Sequence, residues 1–165
     1  MTTTEGGPAG AGTRTPEPQW LTLDQQHSWR SYIEGSQVLS EALGRDLEQE
    51  VDLSLTEYEV LVRLSEAADH TMRMSQLADD LAHSRSRVTH TVRRMEARGL
   101  VRRASCPADG RGVNCTMTVD GYRQLVEAAP VHVASVRKRL VDVVSEQEFA
   151  LLGDILGRVA AAIRS

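Results

Sequence analysis

The sequence predicts a mainly α-helical fold that carries one small β-hairpin. Two observations lead to this prediction. Apolar side chains recur at helical spacing along most of the 165 residues, and only residues 101–118 combine strand-forming segments with a dense cluster of turn formers. With 41% apolar residues the chain can bury one ordinary core. We therefore expect one domain at residues 19–165.

The first part of the chain predicts a tail and two helices. Residues 1–18 are rich in Thr, Gly, Ala and Pro and lack apolar periodicity, which is typical of a disordered tail. Residues 21–50 contain no proline and place apolar side chains at roughly helical spacing, so they predict one long helix. Ser54 followed by Glu57 forms a capping box that begins a second helix, ending near Ala68.

Two shorter helices separated by a tight turn follow, at residues 74–82 and 84–98. This spacing is the helix-turn-helix arrangement. In the second helix Val88, Val92 and Met95 stand at positions i, i+4 and i+7, so they must face the core. At about 100° per residue, the opposite face presents Ser86, His90, Arg93 and Ala97.

The segment after this helix predicts a β-hairpin. Gly99 stands where a helix commonly ends in a left-handed cap, with Leu100 folding back onto the last turn. Residues 101–103 and 113–118 have strand-like content, and residues 107–112 between them are dense in turn formers. An antiparallel hairpin is the economical interpretation.

Two helices complete the chain. Thr118 can cap a helix that runs toward Leu140, and Pro130 predicts a kink or break inside it. Ser145 with Glu148 forms another capping box. The last helix carries an apolar stripe made of Phe149, Leu152, Leu156, Val159 and Ile163.

Positive charge is concentrated in one part of a chain whose net charge is −4. Between Ser84 and Arg111 there are eight arginines and only two acids, Glu96 and Asp109, which gives this window +6 and leaves −10 for the rest. A solvated helix face would carry interleaved acids. The arginine fork suits phosphates and guanine edges. The pattern therefore indicates a surface that binds nucleic acid.

The order of these elements resembles the MarR family of winged helix-turn-helix regulators from about Trp20 to the C-terminus. The matching segments are Leu77 with Ala78, residues 95–101, residues 109–112, and Thr118 with Gly121. Three positions depart from the family pattern. Ala82 and His83 stand where a glycine and an apolar residue are usual, and Arg73 stands where a capping Ser or Thr is common.

The resemblance implies that helix 84–98 enters the major groove of duplex DNA. The residues expected near bases or adjoining phosphates are Ser84, Arg85, Ser86, Arg87, Thr89 and His90. Arg93 and Arg94 are expected to hold phosphates, and Ser75 with Gln76 to contact the DNA backbone. Arg111 would enter the minor groove from the wing, with Asp109 orienting it. A local ion pair in a solvated turn is the alternative for these last two residues.

The resemblance also implies a homodimer. Residues 19–50 and 119–165 would supply its dimerisation helices, and residues 54–118 would form the winged helix-turn-helix unit. Such a dimer would repress transcription from an inverted-repeat operator with half-sites about 10 base pairs apart. A small-molecule effector of unknown identity is expected to release it.

Two other functions stay open. One is a dimeric protein-interaction module or anti-repressor that does not bind DNA. The other is a thiol-based redox-sensing regulator that uses Cys106 and Cys115, which lie on opposite arms of the hairpin. Against redox sensing, cysteines in such proteins are more often small buried side chains than reactive thiolates.

The sequence gives no sign of an enzyme, a cofactor or a metal site. There is no nucleophile beside a base and no glycine-rich phosphate loop. The histidines are scattered, without C-x-x-C or H-x-x-x-H spacing. We also find no apolar run of about 18 residues and no secretory signal pattern, so we expect a cytoplasmic protein without a membrane partner.

Overall fold

The computed structural model describes residues 18–106 and 109–164, with the backbone alone at residues 106 and 109–111. The chain divides into two compact units, Met1–Glu34 and Gly35–Ser165. Within the first unit, the rings of Trp29 and Tyr32 lie with their centroids 5.8 Å apart. The second unit contains the core and the candidate site.

The described residues form six α-helices and one antiparallel sheet. The helices are α1 Leu23–Val51, α2 Leu55–Glu66, α3 Met74–Asp80, α4 Arg85–Ala97, α5 Val119–Val136 and α6 Glu146–Arg164. The strands are β1 Thr71–Arg73, β2 Val101–Cys106 and β3 Asp109–Met117, in the order β1-β3-β2. The predicted helical fold with a hairpin is confirmed, and no helix among these residues is long and apolar enough to span a membrane.

The sheet has one strand more than the predicted hairpin. Strand β1 pairs with β3, so that Thr71 lies opposite Thr116 and Met72 opposite Cys115. The hydroxyl oxygens of the two threonines are 2.9 Å apart. Three residues are too few to show the alternation of a strand in the sequence, which is why β1 was not predicted.

Capping residues begin the helices where the sequence placed them. The Ser54 hydroxyl accepts from the Glu57 N–H at 3.3 Å, and the Glu57 carboxylate accepts from the Ser54 N–H at 3.0 Å. Ser145 and Glu148 form the second capping box, which lowers the pKa of the Glu148 carboxyl through hydrogen bonds from Ser145. Both boxes satisfy N–H groups that the helix itself leaves unpaired.

The break predicted at Pro130 does not occur. Helix α5 continues through Pro130 to Val136, and the hydrogen-bond pattern changes only afterwards, in a π-helical turn at Arg137–Val141. Pro130 cannot donate to the carbonyl of Val126, four residues earlier. Because Pro130 and Val126 are both exposed, water can satisfy that carbonyl and the helix persists.

The core forms where one face of each of the helices α2, α3, α4 and α5 packs against the sheet. Val88, Val92 and Met95 of α4 are fully buried, as their spacing predicts. Thr91 joins them on the buried face. Burial of a large aliphatic side chain contributes about 1.5–3 kcal/mol. The orientation of α4 about its own axis is therefore set by this face.

An ion pair ties the end of α5 to α1 within the second unit. Arg139, in the π-helical turn, donates through Nη2 to both carboxylate oxygens of Asp46 at 2.8 Å. The buried Ser135 hydroxyl donates to the same carboxylate at 2.6 Å. The hydrogen bond from Ser135, together with Arg139, lowers the pKa of Asp46.

The end of α4 and the start of α5 are in close contact. Gly99 has a φ of 74°, which confirms the predicted left-handed cap. The Thr118 hydroxyl donates to the carbonyls of Gly99 at 2.7 Å and Leu100 at 3.0 Å, and accepts from the Gly121 N–H. A Cβ atom at Gly121 would lie 2.1 Å from the Leu100 carbonyl oxygen. Only glycine fits at this junction.

We predict that Gly121→Ala lowers the free energy of unfolding by about 2–4 kcal/mol, because backbone must shift to admit the methyl group. The matched control is Gly157→Ala on α6, where nothing lies within 4 Å of the added Cβ. The control should be neutral or stabilising by up to about 1 kcal/mol. Chemical denaturation measures both, and equal effects would contradict the close approach.

Candidate nucleic-acid interface

The solvent face of α4 carries the residues that the sequence placed there. Ser86, His90, Arg93 and Ala97 are all exposed. The predicted contact residues Ser84, Arg85 and Arg87 are exposed as well, and Thr89 is half-buried. Because the opposite face is in the core, these polar side chains form one continuous surface on α4. We call this surface the α4 face.

The beginning of α4 is held by local and long-range hydrogen bonds. The Ser84 hydroxyl accepts from the Arg87 N–H at 3.3 Å and lies 3.3 Å from the Ser86 hydroxyl. The Arg87 guanidinium donates through Nη2 to the Thr56 hydroxyl on α2 at 3.3 Å. Arg85 and Arg87 both lie in the first turn of α4, at the positive end of the helix dipole. Together they favour the binding of a phosphate group at this end of the helix.

The turn between α3 and α4 adopts a conformation that usually requires glycine. Ala82 has a φ of 51°, in the left-handed region. The His83 N–H donates to the Ala78 carbonyl at 3.1 Å, and its ring Nε2 lies 3.9 Å from Glu59 Oε2. A left-handed conformation costs an alanine about 1–2 kcal/mol of free energy. The contacts of His83 help to offset this cost and stabilise the turn.

The first turn of α3 carries two further candidate residues. Ser75 and Gln76 are exposed, while Leu77 and Ala78 enter the core. Arg73 occupies the N-cap position and provides no side-chain capping hydrogen bond. The placement of Ser75 and Gln76 is compatible with backbone contacts to DNA, which stay a prediction.

Arg94 forms an ion pair within the protein and keeps 51% of its side chain exposed, so the phosphate contact that the sequence predicted for it stays a prediction. Its Nη2 donates to Glu57 Oε1 at 3.2 Å. Arg98, which the sequence did not single out, reaches Glu57 Oε2 with its Nη1 at 3.5 Å and Asp52 Oδ2 with its Nη2 at 3.1 Å. The sequence identified Glu57 only as a capping residue. Its contacts with α4 were missed because they join residues 37 and 41 positions apart.

Strands β2 and β3 form the wing, and hydrogen bonds join the base of the wing to α4. Arg103 donates through Nε at 2.9 Å and Nη2 at 2.6 Å to Glu96 Oε2, and its N–H donates to Glu96 Oε1 at 2.9 Å. These hydrogen bonds lower the pKa of the Glu96 carboxyl. The backbone at Asp109 and Arg111 belongs to β3. Their side chains lie outside the described residues, so the predicted minor-groove contact stays a prediction.

Comparison with known proteins matches this arrangement to one family. The MarR family model matches residues 51–112. Sco3205, a MarR family transcriptional regulator from Streptomyces coelicolor whose structure was solved in complex with DNA, is 38% identical. The similarity covers 92% of this chain and 94% of Sco3205, with a TM-score of 0.85. The chain belongs to the MarR family. The predicted family and winged helix-turn-helix fold are thereby confirmed.

Two more MarR-type proteins are similar to this chain. AbsC, a MarR family transcriptional regulator from Streptomyces coelicolor, is 38% identical, with a TM-score of 0.81, and the match covers 89% of this chain and 99% of AbsC. The HTH-type transcriptional regulator PecS of Dickeya dadantii (strain 3937) is 31% identical over 108 residues, 65% of this chain. The chain covers 64% of PecS, slightly less than two thirds of its length.

The cysteines of this MarR protein are not placed for a disulfide within the hairpin. Cys115 lies opposite Arg103, and Cys106 lies opposite Asp109, three residues further along β2. At about 3.3 Å per residue along a strand, the two Cα atoms are farther apart than the roughly 7 Å that a disulfide spans. Burial raises the pKa of the Cys115 thiol to about 12. Both findings disfavour the redox alternative; the side chain of Cys106 lies outside the described residues.

A cavity of about 420 Å³ lies between the second half of α1 and helices α2, α3 and α5. The His132 ring packs against Tyr58 with centroids 4.5 Å apart. Burial lowers the pKa of His132 and raises that of Tyr58. The buried Nδ1 of His132 has no hydrogen-bond partner among the described residues. The cavity therefore offers a small molecule both apolar and charged side chains, among them Leu43, Val62 and Glu59, beside the Nδ1 atom of His132.

We predict that Cys115 reacts slowly with thiol reagents. In a Cys106→Ser background, labelling of the folded protein near pH 8 should be about 100-fold or more slower than labelling after unfolding in urea, because the thiolate is scarce and the sulfur is buried. Absorbance of the released chromophore measures both rates. Comparable rates would show that Cys115 is a reactive thiol and would revive the redox alternative.

Proposed function

We propose that this MarR protein is a sequence-specific regulator of transcription, a repressor that binds duplex DNA and performs no chemistry of its own. The α4 face carries the proposal. Its core-facing side chains are fully buried, so Arg85, Arg87, His90 and Arg93 must point to solvent. Arginine forks, hydroxyls and an imidazole are the groups that read base edges and hold phosphates.

The charge distribution supports binding to DNA despite the net charge of −4. The arginine-rich window lies on α4 and the wing, and the excess acids lie elsewhere in the sequence. Local positive potential steers DNA to this surface. Each phosphate that is neutralised releases counterions, so we expect strong dependence on salt. The similarity to Sco3205, solved in complex with DNA, supports the same partner for this chain.

We propose a homodimer built by residues 19–50 and 119–165. Helix α6 has no buried residue in the single chain, and its apolar side chains Phe149, Leu156 and Val159 are exposed by 39%, 39% and 50%. A helix with such a stripe needs a partner to cover it. A two-fold dimer would present two α4 helices to half-sites about 10 base pairs apart in an inverted repeat.

We also propose that a small-molecule effector releases the dimer from DNA in the cytoplasm. The cavity beside His132 supports this regulation, since it lies between helices of the DNA-reading unit and α5. A ligand bound there can favour a spacing of the two α4 helices that does not fit the operator.

The first test selects bound fragments from a random duplex library and then compares variants on the best fragment. Arg87→Ala and Arg111→Ala should each weaken binding at least tenfold, about 1.4 kcal/mol. Arg63→Ala is the matched control, because Arg63 is an exposed arginine on α2 with an ion pair to Glu66, outside the α4 face and the proposed dimerisation segments. Its affinity should stay within about twofold of the wild type, as for other surface substitutions.

An enriched inverted repeat together with these losses supports the regulator. If no sequence is enriched and neither variant affects binding, the DNA proposal is wrong. The protein would then fit the alternative of an interaction module or anti-repressor, and the search should turn to a protein partner.

We predict that Leu156→Glu converts the dimer to a monomer and weakens operator binding at least tenfold, because a charge would be buried in the covered stripe. Arg158→Glu is the control, since it places the same side chain away from the stripe on α6. Sedimentation velocity and DNA titration measure the two effects. A dimer that survives Leu156→Glu would show that α6 is not its interface.

A further inference from the structure

Glu57 makes contacts that its capping role does not require. Its side chain is 5% exposed and accepts hydrogen bonds from the N–H and the hydroxyl of Ser54, each at 3.0 Å. The same carboxylate accepts from Arg94 at 3.2 Å and from Arg98 at 3.5 Å. One buried carboxylate therefore joins the first turn of α2 to the C-terminal turn of α4.

Arg98 extends this connection to the end of α1. Its Nη2 donates to the Asp52 carbonyl at 2.6 Å and to Asp52 Oδ2 at 3.1 Å. Asp52 directly follows Val51, the last residue of α1, and has a left-handed φ of 51°. Asp52, Glu57, Arg94 and Arg98 thus form one charged cluster, which we call the Glu57 cluster.

Burial makes the members of the cluster depend on one another. A buried carboxylate is unfavourable unless it is paired and hydrogen-bonded, so Glu57 requires its arginine partners. Arg94 and Arg98 are one helical turn apart and would repel each other without an acid between them. Both guanidinium groups contact Glu57, although the side chains of Arg94 and Arg98 keep 51% and 33% of their surface exposed. Arg93, the residue before Arg94, belongs to the α4 face.

We propose that Glu57 is a positioning residue for DNA recognition. By binding Arg94 and Arg98, it fixes the angle of α4 against the end of α1, a proposed dimerisation helix, and so sets the spacing of the two α4 helices. Arg94 is then a structural arginine and not a phosphate contact. This inference rests on the proposed function, since it concerns how the same surface is presented to DNA.

Glu57→Gln tests the positioning role. Glutamine keeps the shape and can still accept the capping hydrogen bond, but it removes the charge that holds the arginines. We expect affinity for the selected operator to fall at least tenfold, while affinity for a random-sequence duplex does not fall, because the released arginines still attract phosphates. A merely structural loss would weaken both duplexes equally. Equal loss, or no loss on the operator, overturns the proposal.

Arg94→Gln provides a second test that does not alter Glu57. The slope of log affinity against log salt changes by about 0.9 for each phosphate contact that is lost. Because each subunit of the dimer loses one contact, we expect Arg93→Gln, the matched control on the α4 face, to reduce the slope by about 1.8 and Arg94→Gln to leave it unchanged. Equal reductions would make Arg94 a phosphate contact and overturn the proposal.

The same measurements separate failure of the proposed function from failure of the positioning role. If the wild-type protein binds no duplex DNA, the proposed function is wrong and the positioning role is wrong with it. If the wild type selects an operator and Glu57→Gln binds that operator normally, only the positioning role is overturned. Circular dichroism at the assay temperature shows whether each variant is folded.

Discussion

Helix α4 packs one of its faces completely into the core. Val88, Val92 and Met95 have no exposed surface, and Thr91 is 5% exposed. Each large apolar side chain contributes about 1.5–3 kcal/mol when buried, so rotation of α4 about its axis is strongly unfavourable. Core packing therefore determines which residues form the α4 face. The side chains that would read DNA are those on the side of the helix that is not buried.

Six of the eight arginines between Ser84 and Arg111 divide into two groups according to their contacts. Arg94, Arg98 and Arg103 are bound by acids within the protein. Arg85, Arg87 and Arg93 lie on the α4 face, exposed to solvent. Net charge counts both groups alike, so the +6 of this window overstates the charge that can reach a phosphate. The first group connects α4 and the wing to the rest of the fold, and the second is the group that we propose for DNA recognition.

Local features of the fold were predictable from the sequence because each depends on residues a few positions apart. The capping boxes at Ser54 and Ser145 and the left-handed cap at Gly99 belong to this class. The buried triplet of α4 was predictable as well, since helical periodicity alone places it. These elements led to the correct family and to most of the α4 face.

Features that depend on distant residues were not predictable. The role of Glu57 requires contacts with α4 that only the tertiary fold creates, and a capping glutamate has the same local sequence with or without them. The pairing of Asp46 with Arg139 joins residues 93 positions apart. The helix break predicted as one outcome at Pro130 does not occur, because the effect of a proline depends on whether solvent reaches the carbonyl that it leaves unpaired.

We propose that the α4 face reads the major groove, and methylation interference on a selected operator is a direct experiment on this contact. Methylation of guanine N7 marks the major groove, and methylation of adenine N3 marks the minor groove. If two α4 helices enter the major groove, N7 methylation interferes in two clusters about one helical turn apart, related by the two-fold axis of the site. Interference confined to adenine N3, or a single cluster without a symmetry mate, would contradict it.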